Sequence, residues 1–191
     1  KPEITAPGGN IYSVNGAVAG GEAYENMSGT SMAAPQVTGM VAVLAQYLRE
    51  NGLAEKAGVS ARHLAQSLLM STAMPMTDEY GDYYPVIQQG AGLANVNSAI
   101  QAGSYITVAG QPDGKGKVEL GDDPAKTGVY TFGFTLHDLS GKGGTYALSA
   151  DVFTQDLFTE DGIDYLDTAT AALEGAKVSF DQGSVALAAG G

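Results

Sequence analysis

Gly29-Thr30-Ser31-Met32-Ala33-Ala34-Pro35 lies between a glycine-rich polar loop and a long apolar helical pattern. That context predicts a serine hydroxyl at a helix N-terminus, among backbone N–H groups that no helical carbonyl can reach. A serine so placed has the surroundings of a nucleophile, because an oxyanion developing beside it would meet preorganised donors and the positive end of the helix dipole. Any serine at a helix start must first be considered as a cap, and a cap alone does not account for the residues on either side.

Working outward, Ser31 to Glu50 reads as one helix. Met32, Val37, Met40, Val41, Val43, Leu44, Tyr47 and Leu48 are apolar almost all round, so the helix should be buried. Pro35 is placed in its first turn, and Asn51-Gly52 supplies the stop. Ser60 is a candidate N-cap for a second helix to Thr72, with Ala61, Leu64, Ala65, Leu68 and Leu69 as its core stripe. Met74 to Gln89 carries no clear period, and a short helix follows from Val96 to Ala102. Ahead of the serine, residues 4–8 read as a strand closed by a turn. Gly8, Gly9, Gly16, Gly20 and Gly21 then form a loop that lacks the lysine and spacing of a phosphate loop.

Past about residue 104 the apolar period changes from 3.6 to 2. Tyr130, Phe132, Phe134 and Leu136 alternate with polar or small residues, as do Tyr146, Leu148, Ala150 and Val152. Val118 with Leu120, and Val185 with Leu187, behave alike. Alternating strands joined by Gly- and Asp-rich turns predict an antiparallel sandwich. The expected division is residues 1–104, α-rich, and 105–191, all-β and short of a full sandwich.

Composition narrows the function. With 21 acidic and 9 basic residues the net charge is −12, which repels phosphate backbones and argues against nucleic-acid binding. No apolar run approaches the ~20 residues of a membrane span, so membrane insertion is not expected. The absence of cysteine removes disulfides and thiolate metal sites and leaves the compartment open. The chain opens at Lys1 and reads as a piece of a longer protein.

The motif around Ser31 resembles the nucleophile signature of the subtilases, the subtilisin-like serine endopeptidases. Lys1-Pro2-Glu3-Ile4-Thr5-Ala6-Pro7-Gly8 is similar to the strand that family places before its nucleophile loop. Gly90-x-Gly92-Leu93-x-Asn95-Val96-x-x-Ala99 is similar to its closing segment. The resemblance implies an α/β fold: residues 1–104 would be the C-terminal portion of a subtilisin-like parallel-sheet domain. It also implies Ser31 as nucleophile and backbone oxyanion donor, Gly29 and Thr30 as substrate-binding residues, and a protein or peptide substrate, with no cofactor required.

Two departures matter. A serine nucleophile needs a histidine base and an orienting carboxylate, which the subtilases carry before the serine. Residues 1–30 contain neither His nor Asp, and the two histidines, His63 and His137, follow Ser31. Both are read as bland: His63 solvent-facing or capping, His137 on the polar face of a strand. Asn26 is the asparagine nearest the motif and does not match the context of the family's oxyanion-hole asparagine. The chain alone is therefore expected to be inactive, with base and acid supplied by an absent N-terminal segment, in the same parent chain or a separate one. The apolar helix from Ser31 and the strand at Ile4 should need that segment to cover them.

The second departure is Gln36, where many subtilases have His. Gln there resembles the cell-envelope branch, which includes lactocepin-like and C5a-peptidase-like enzymes. That branch is secreted or wall-associated and carries fibronectin-III-like domains after the catalytic one. Residues 105–191 would be such a domain, truncated. The rival reading is a pseudoprotease or adhesive scaffold that keeps the fold without the chemistry. Asp78, Glu79 and Asp82, or Glu160, Asp161, Asp164 and Asp167, offer oxygens of the kind a structural calcium takes, though acidic loops on so acidic a chain are more often solvated. Tyr80, Tyr83 and Tyr84 are expected to pack the domain junction.

Overall fold

The computed structural model describes residues 2–17, 19–20, 23–111 and 115–189. In chain order the elements are β1 (Ile11–Val14), β2 (Tyr24–Met27), α1 (Thr30–Glu50), α2 (Leu53–Lys56), α3 (Ala61–Ser71), α4 (Val86–Gln89), α5 (Val96–Gln101), β3 (Ser104–Val108), β4 (Phe134–Asp138), β5 (Gly144–Ala147), β6 (Phe153–Glu160), β7 (Ile163–Ala172) and β8 (Ser184–Leu187).

The helices form where spacing and caps agree. The Ser60 hydroxyl accepts from the His63 N–H at 3.2 Å and starts α3. Asn95 does the same for α5, accepting from Ser98 N–H at 3.0 Å. At the end of α1 the Asn51 side chain donates to the Tyr47 carbonyl at 2.9 Å, and Gly52 takes a left-handed φ of 61°. Pro35 lies in the second turn of α1 rather than the first. Its missing N–H leaves the carbonyl of Ser31 without an i+4 donor.

One core joins these elements. Leu44 and Leu48 of α1, Leu64, Ala65, Leu68 and Leu69 of α3, Ala99 of α5 and Tyr105 of β3 are buried together. Burying each leucine is worth roughly 1.5–3 kcal/mol. The expectation that α1 is buried all round is corrected here: only Leu44 and Leu48 are fully buried, and Val43 is 52% exposed. The described helices α3 and α5 cover one side of α1; Val41 and Tyr47 are partly buried against the core, and Val43 faces outward.

The strand expected over residues 4–8 is reduced to backbone pairing on one side. Leu93 pairs in parallel with Thr5 and antiparallel with Met74. Thr5 N–H donates to Gly92 O at 2.8 Å, and Leu93 N–H to Met74 O at 2.7 Å. The closing segment thus threads between the start of the chain and the loop after α3. Gly92, at φ 116°, has the Met74 carbonyl where a Cβ would stand. In that loop, the buried amide of Gln89 accepts from Met76 N–H at 2.7 Å and donates to Tyr84 O at 2.6 Å.

The remaining strands make two-stranded antiparallel sheets, β1–β2, β3–β4, β5–β8 and β6–β7. The strand expected from Tyr130 begins only at Phe134, and Tyr130 and Phe132 are exposed. The strand expected over residues 146–152 is displaced to β5, and β8 falls at Val185 and Leu187. The long β6–β7 hairpin was not anticipated. It turns at Asp161 and Gly162, whose φ values are 52° and 76°, the double left-handed turn that matches strand twist. β3 pairs with β4 and also packs on α3, where Ile106 N–H donates to Ser71 Oγ at 2.9 Å. Tyr83 stacks on Phe153 at 5.3 Å, and its carbonyl accepts from the Thr170 hydroxyl at 2.7 Å. Tyr83 thus packs on β6 and β7, whereas Tyr80 is exposed.

Candidate active site

The loop into α1 is shaped by two glycines. Gly29, the N-cap residue, has φ 151°, a conformation L-residues rarely adopt. Gly8 lies against it: Gly29 N–H donates to Gly8 O at 2.8 Å. A Cβ on Gly8 would stand 2.7 Å from the Gly29 carbonyl oxygen. Backbone approach, not loop flexibility, sets the glycines here. Asn10 N–H donates to Ser28 Oγ at 2.8 Å and ties the same two segments one step further out.

Ser31 is the second residue of α1 and is exposed. No side chain caps this helix, so the capping role considered for Ser31 is absent. Among the described residues no hydrogen bond engages its hydroxyl. Met32 N–H and Ala33 N–H donate to Gly29 O at 3.0 and 3.2 Å. The N–H groups of Thr30 and Ser31 precede the first helical bond and, among the described residues, meet no acceptor. Hydroxyl and donor are therefore presented together at the positive end of a 21-residue helix.

Gly29 and Thr30 line a groove of about 920 Å³ that runs between residues 2–8, α1 and α3. Its floor is apolar, from Ala33, Val37 and Val41 on α1 and Ala65 and Leu69 on α3. Arg62 and Lys115 stand among its lining residues, and Lys115 pairs with Glu3 at 3.2 Å. That partner's hydrogen bond holds the Glu3 carboxyl below its usual value, against an opposing push from burial.

The histidines are brought together, but away from Ser31. His137 stacks on Tyr105 with ring centroids 4.6 Å apart, and its Nε2 lies 2.7 Å from Thr107 Oγ1. Tyr105 belongs to the core around Leu44 and Leu48, ~20–25 Å along α1 from Ser31 at the helical rise. Burial, then the nearby His63, pushes the His137 pKa below its ordinary value. The expectation that His63 faces solvent or caps fails: its Nε2 is buried without a partner among the described residues. Asn26 sits in β2 opposite Tyr12, and Gln36 is exposed on α1.

The acidic clusters are engaged by groups of their own segments. Asp78 accepts from the N–H groups of Tyr80 and Asp82 at 2.9 and 3.0 Å. Asp164 accepts from the Thr159 hydroxyl at 2.7 Å. Among the described residues no group of three or more His, Asp or Glu is placed to hold a metal ion, and no helix is long and apolar enough to cross a membrane.

Comparison with known proteins bears on the same residues. The model of the subtilase family matches residues 1–110, a span that holds the loop before Ser31, the groove's lining other than Lys115, and the closing segment. The PII-type proteinase of Lactococcus lactis subsp. cremoris is 34% identical over 174 residues, covering 83% of this chain and 8% of its own length. The C5a peptidase of Streptococcus pyogenes is 38% identical over 108 residues, 56% of this chain and 9% of that protein. The minor extracellular protease Vpr of Bacillus subtilis is 36% identical over 109 residues, 56% and 12% respectively. The chain thus spans about a tenth of the length of these relatives. The lactococcal and streptococcal matches bear out the expected likeness to the cell-envelope branch. A glycine-shaped loop that presents an uncapped serine at a helix start, with the family's match running through and beyond it, makes this chain a member of the subtilase family.

Proposed function

We propose that the chain supplies the nucleophile and one oxyanion donor of a serine endopeptidase that acts on proteins or peptides. The observation that carries this reading is the exposed, uncapped Ser31 beside free N–H groups at the start of α1. Ser31 Oγ attacks the peptide carbonyl carbon and its proton passes to a base. The oxyanion of the tetrahedral intermediate accepts from Ser31 N–H. The C–N bond then breaks, the leaving amine takes the proton, and water releases the acyl group from Ser31. Gly29 and Thr30, at the mouth of the groove, border the bound substrate.

The base and its acid come from an upstream segment of the parent protein. Residues 1–30 hold no His or Asp, and the chain's own histidines lie at the far end of α1. The apolar groove and the outward side of α1 give that segment a surface to cover, so the isolated chain is inactive. The parent protein acts outside the cell, in keeping with the names of its relatives. Residues 105–191 are the start of a fibronectin-III-like domain; the antiparallel pairs β5–β8 and β6–β7 support that reading, and further strands would complete it. No cofactor takes part.

The test is fluorophosphonate labelling of the full-length protein, with Ser31→Ala beside it. One probe mass at Ser31, lost in the variant, is the expected result. A correctly folded full-length protein that takes up no probe would instead leave the inactive-scaffold reading standing.

A further inference from the structure

The loop between α3 and the closing segment is held on two sides. On one side it meets the β6–β7 hairpin. The Thr170 hydroxyl of β7, on a residue 7% exposed, donates to the Tyr83 carbonyl at 2.7 Å, and the Tyr83 ring stacks on Phe153 of β6 at 5.3 Å. On the other side it meets the start of the chain. The Thr5 hydroxyl donates to the Gln89 carbonyl at 2.9 Å. Thr5 N–H donates to Gly92 O, and Thr5 O accepts from Ala94 N–H, both at 2.8 Å. The buried Gln89 side chain stands between the two contacts. It donates to the Tyr84 carbonyl at 2.6 Å, one residue past the hairpin contact, and accepts from Met76 N–H at 2.7 Å. Tyr84 N–H donates to Met76 O at 3.1 Å and closes the loop on itself.

From Thr5 the path reaches Ser31 through backbone with little freedom. Ala6 is buried and, standing ahead of a proline, is restricted to extended conformations; Pro7 has its φ fixed by its ring. Gly8 O then accepts from Gly29 N–H at 2.8 Å, two residues ahead of Ser31. The links from Thr170 to Gly29 are hydrogen bonds, covalent neighbours or the stiff Ala6-Pro7 step, and none is a free loop. A reacting group misplaced by about 1 Å can lose a large part of its rate, even when the change that moves it is remote from the chemistry.

We propose that Thr170 is a positioning residue for Ser31. The β6–β7 hairpin fixes the loop at Tyr83, Gln89 passes that setting to Thr5, and Gly8 passes it to the loop before Ser31. The β-rich part of the chain thereby sets how the serine is aimed without touching substrate. This rests on Ser31 being the nucleophile.

The test compares the full-length protein with Thr170→Val, which keeps the shape and removes the hydroxyl, with Thr170→Ser, Thr5→Val and the Thr5→Val/Thr170→Val double variant. Thr159→Val is the control, since its hydroxyl bonds Asp164 near the turn of the same hairpin, away from Tyr83. Four quantities are measured: the rate of fluorophosphonate labelling at Ser31, kcat and KM on a quenched-fluorescent peptide, and the urea midpoint. Thr170→Val should slow labelling and lower kcat roughly three- to tenfold at unchanged KM. Thr170→Ser should restore both, and Thr159→Val should change neither. The double variant should be no slower than the slower single variant, because both substitutions break one path. A lower urea midpoint with labelling and kcat unchanged would make the contact merely structural and overturn the proposal. So would a rise in KM alone, or losses that multiply in the double variant. Should Thr170→Val not fold, Phe153→Leu, which removes the ring stack, is held to the same criteria. A wild type that takes up no label would sink the nucleophile reading, whereas a labelled wild type with unaffected variants would sink the positioning role alone.

Discussion

Gly8 and Gly29 resist substitution for different reasons. A methyl on Gly8 would stand 2.7 Å from the Gly29 carbonyl oxygen and 3.0 Å from the Ala33 β-carbon. Gly8→Ala should therefore push the loop before Ser31 off α1, costing about 1–3 kcal/mol, and should slow probe uptake at the proposed nucleophile. Gly29 has room for a methyl, since nothing lies closer than 3.9 Å; its φ of 151° makes Gly29→Ala a strained change of about 1–3 kcal/mol. Gln89 is 3% exposed and satisfies the Met76 N–H and Tyr84 carbonyl. Gln89→Leu should strand both groups and lower stability by about 2–4 kcal/mol in a urea titration, because each unpaired buried group costs ~1–3 kcal/mol. The exposed serine at the start of α1 was legible because a short motif and the apolar run after it place it there. The Gly8 approach was not, because glycine reads the same in a flexible loop and at a tight contact.

Among the elements, α1, α3 and α5 were legible because local signals and burial pattern agreed. Ser60 and Asn95 each sit ahead of an apolar stripe and each accepts the expected first-turn N–H. Asn95→Ala should cost about 1 kcal/mol, seen as a lower denaturation midpoint at unchanged slope. The β6–β7 hairpin was missed although Asp161-Gly162, flanked by Phe158 and Ile163, is a strong turn signal. Its carboxylates drew the reading toward an ion site instead. Gly162→Val should break that turn, whereas Gly162→Asn should be tolerated. The strand at residues 4–8 and the Tyr130–Phe132 strand failed to form for one reason. A strand needs a neighbour, and alternation in sequence does not say whether one is present.

The molecule as a whole should lose stability in mild acid. His137 stacks on Tyr105, meets Thr107 and faces His63, with Asp138 next to it in β4. Its folded pKa is lowered, by burial first and His63 second, so the unfolded chain binds the proton more tightly. The stability it contributes is full above about pH 6.5 and is lost as pH falls through the lower folded value. Melting temperature should drop between pH 7.5 and 5.5, and His137→Gln should flatten that slope. Glu3 acts at lower pH in the same direction: its lowered pKa contributes stability above about pH 4.5, lost on further acidification and small because the side chain is part exposed.

The stitch of Thr5 to the closing segment bears on the order in which the chain can fold. The Thr5 hydroxyl reaches the Gln89 carbonyl 84 residues away, and the Thr5 backbone pairs with Gly92 and Ala94. Closing so long a loop is slow compared with forming a helix, so α1 and α3 should be in place first. Residues 2–8, and through Gly8 the setting of Gly29, are fixed only when Leu93 arrives between Thr5 and Met74. A chain growing from its N-terminus would thus carry Ser31 in an unformed loop until the segment after α4 had been made. The setting of the proposed nucleophile is timed by residues some sixty positions beyond it.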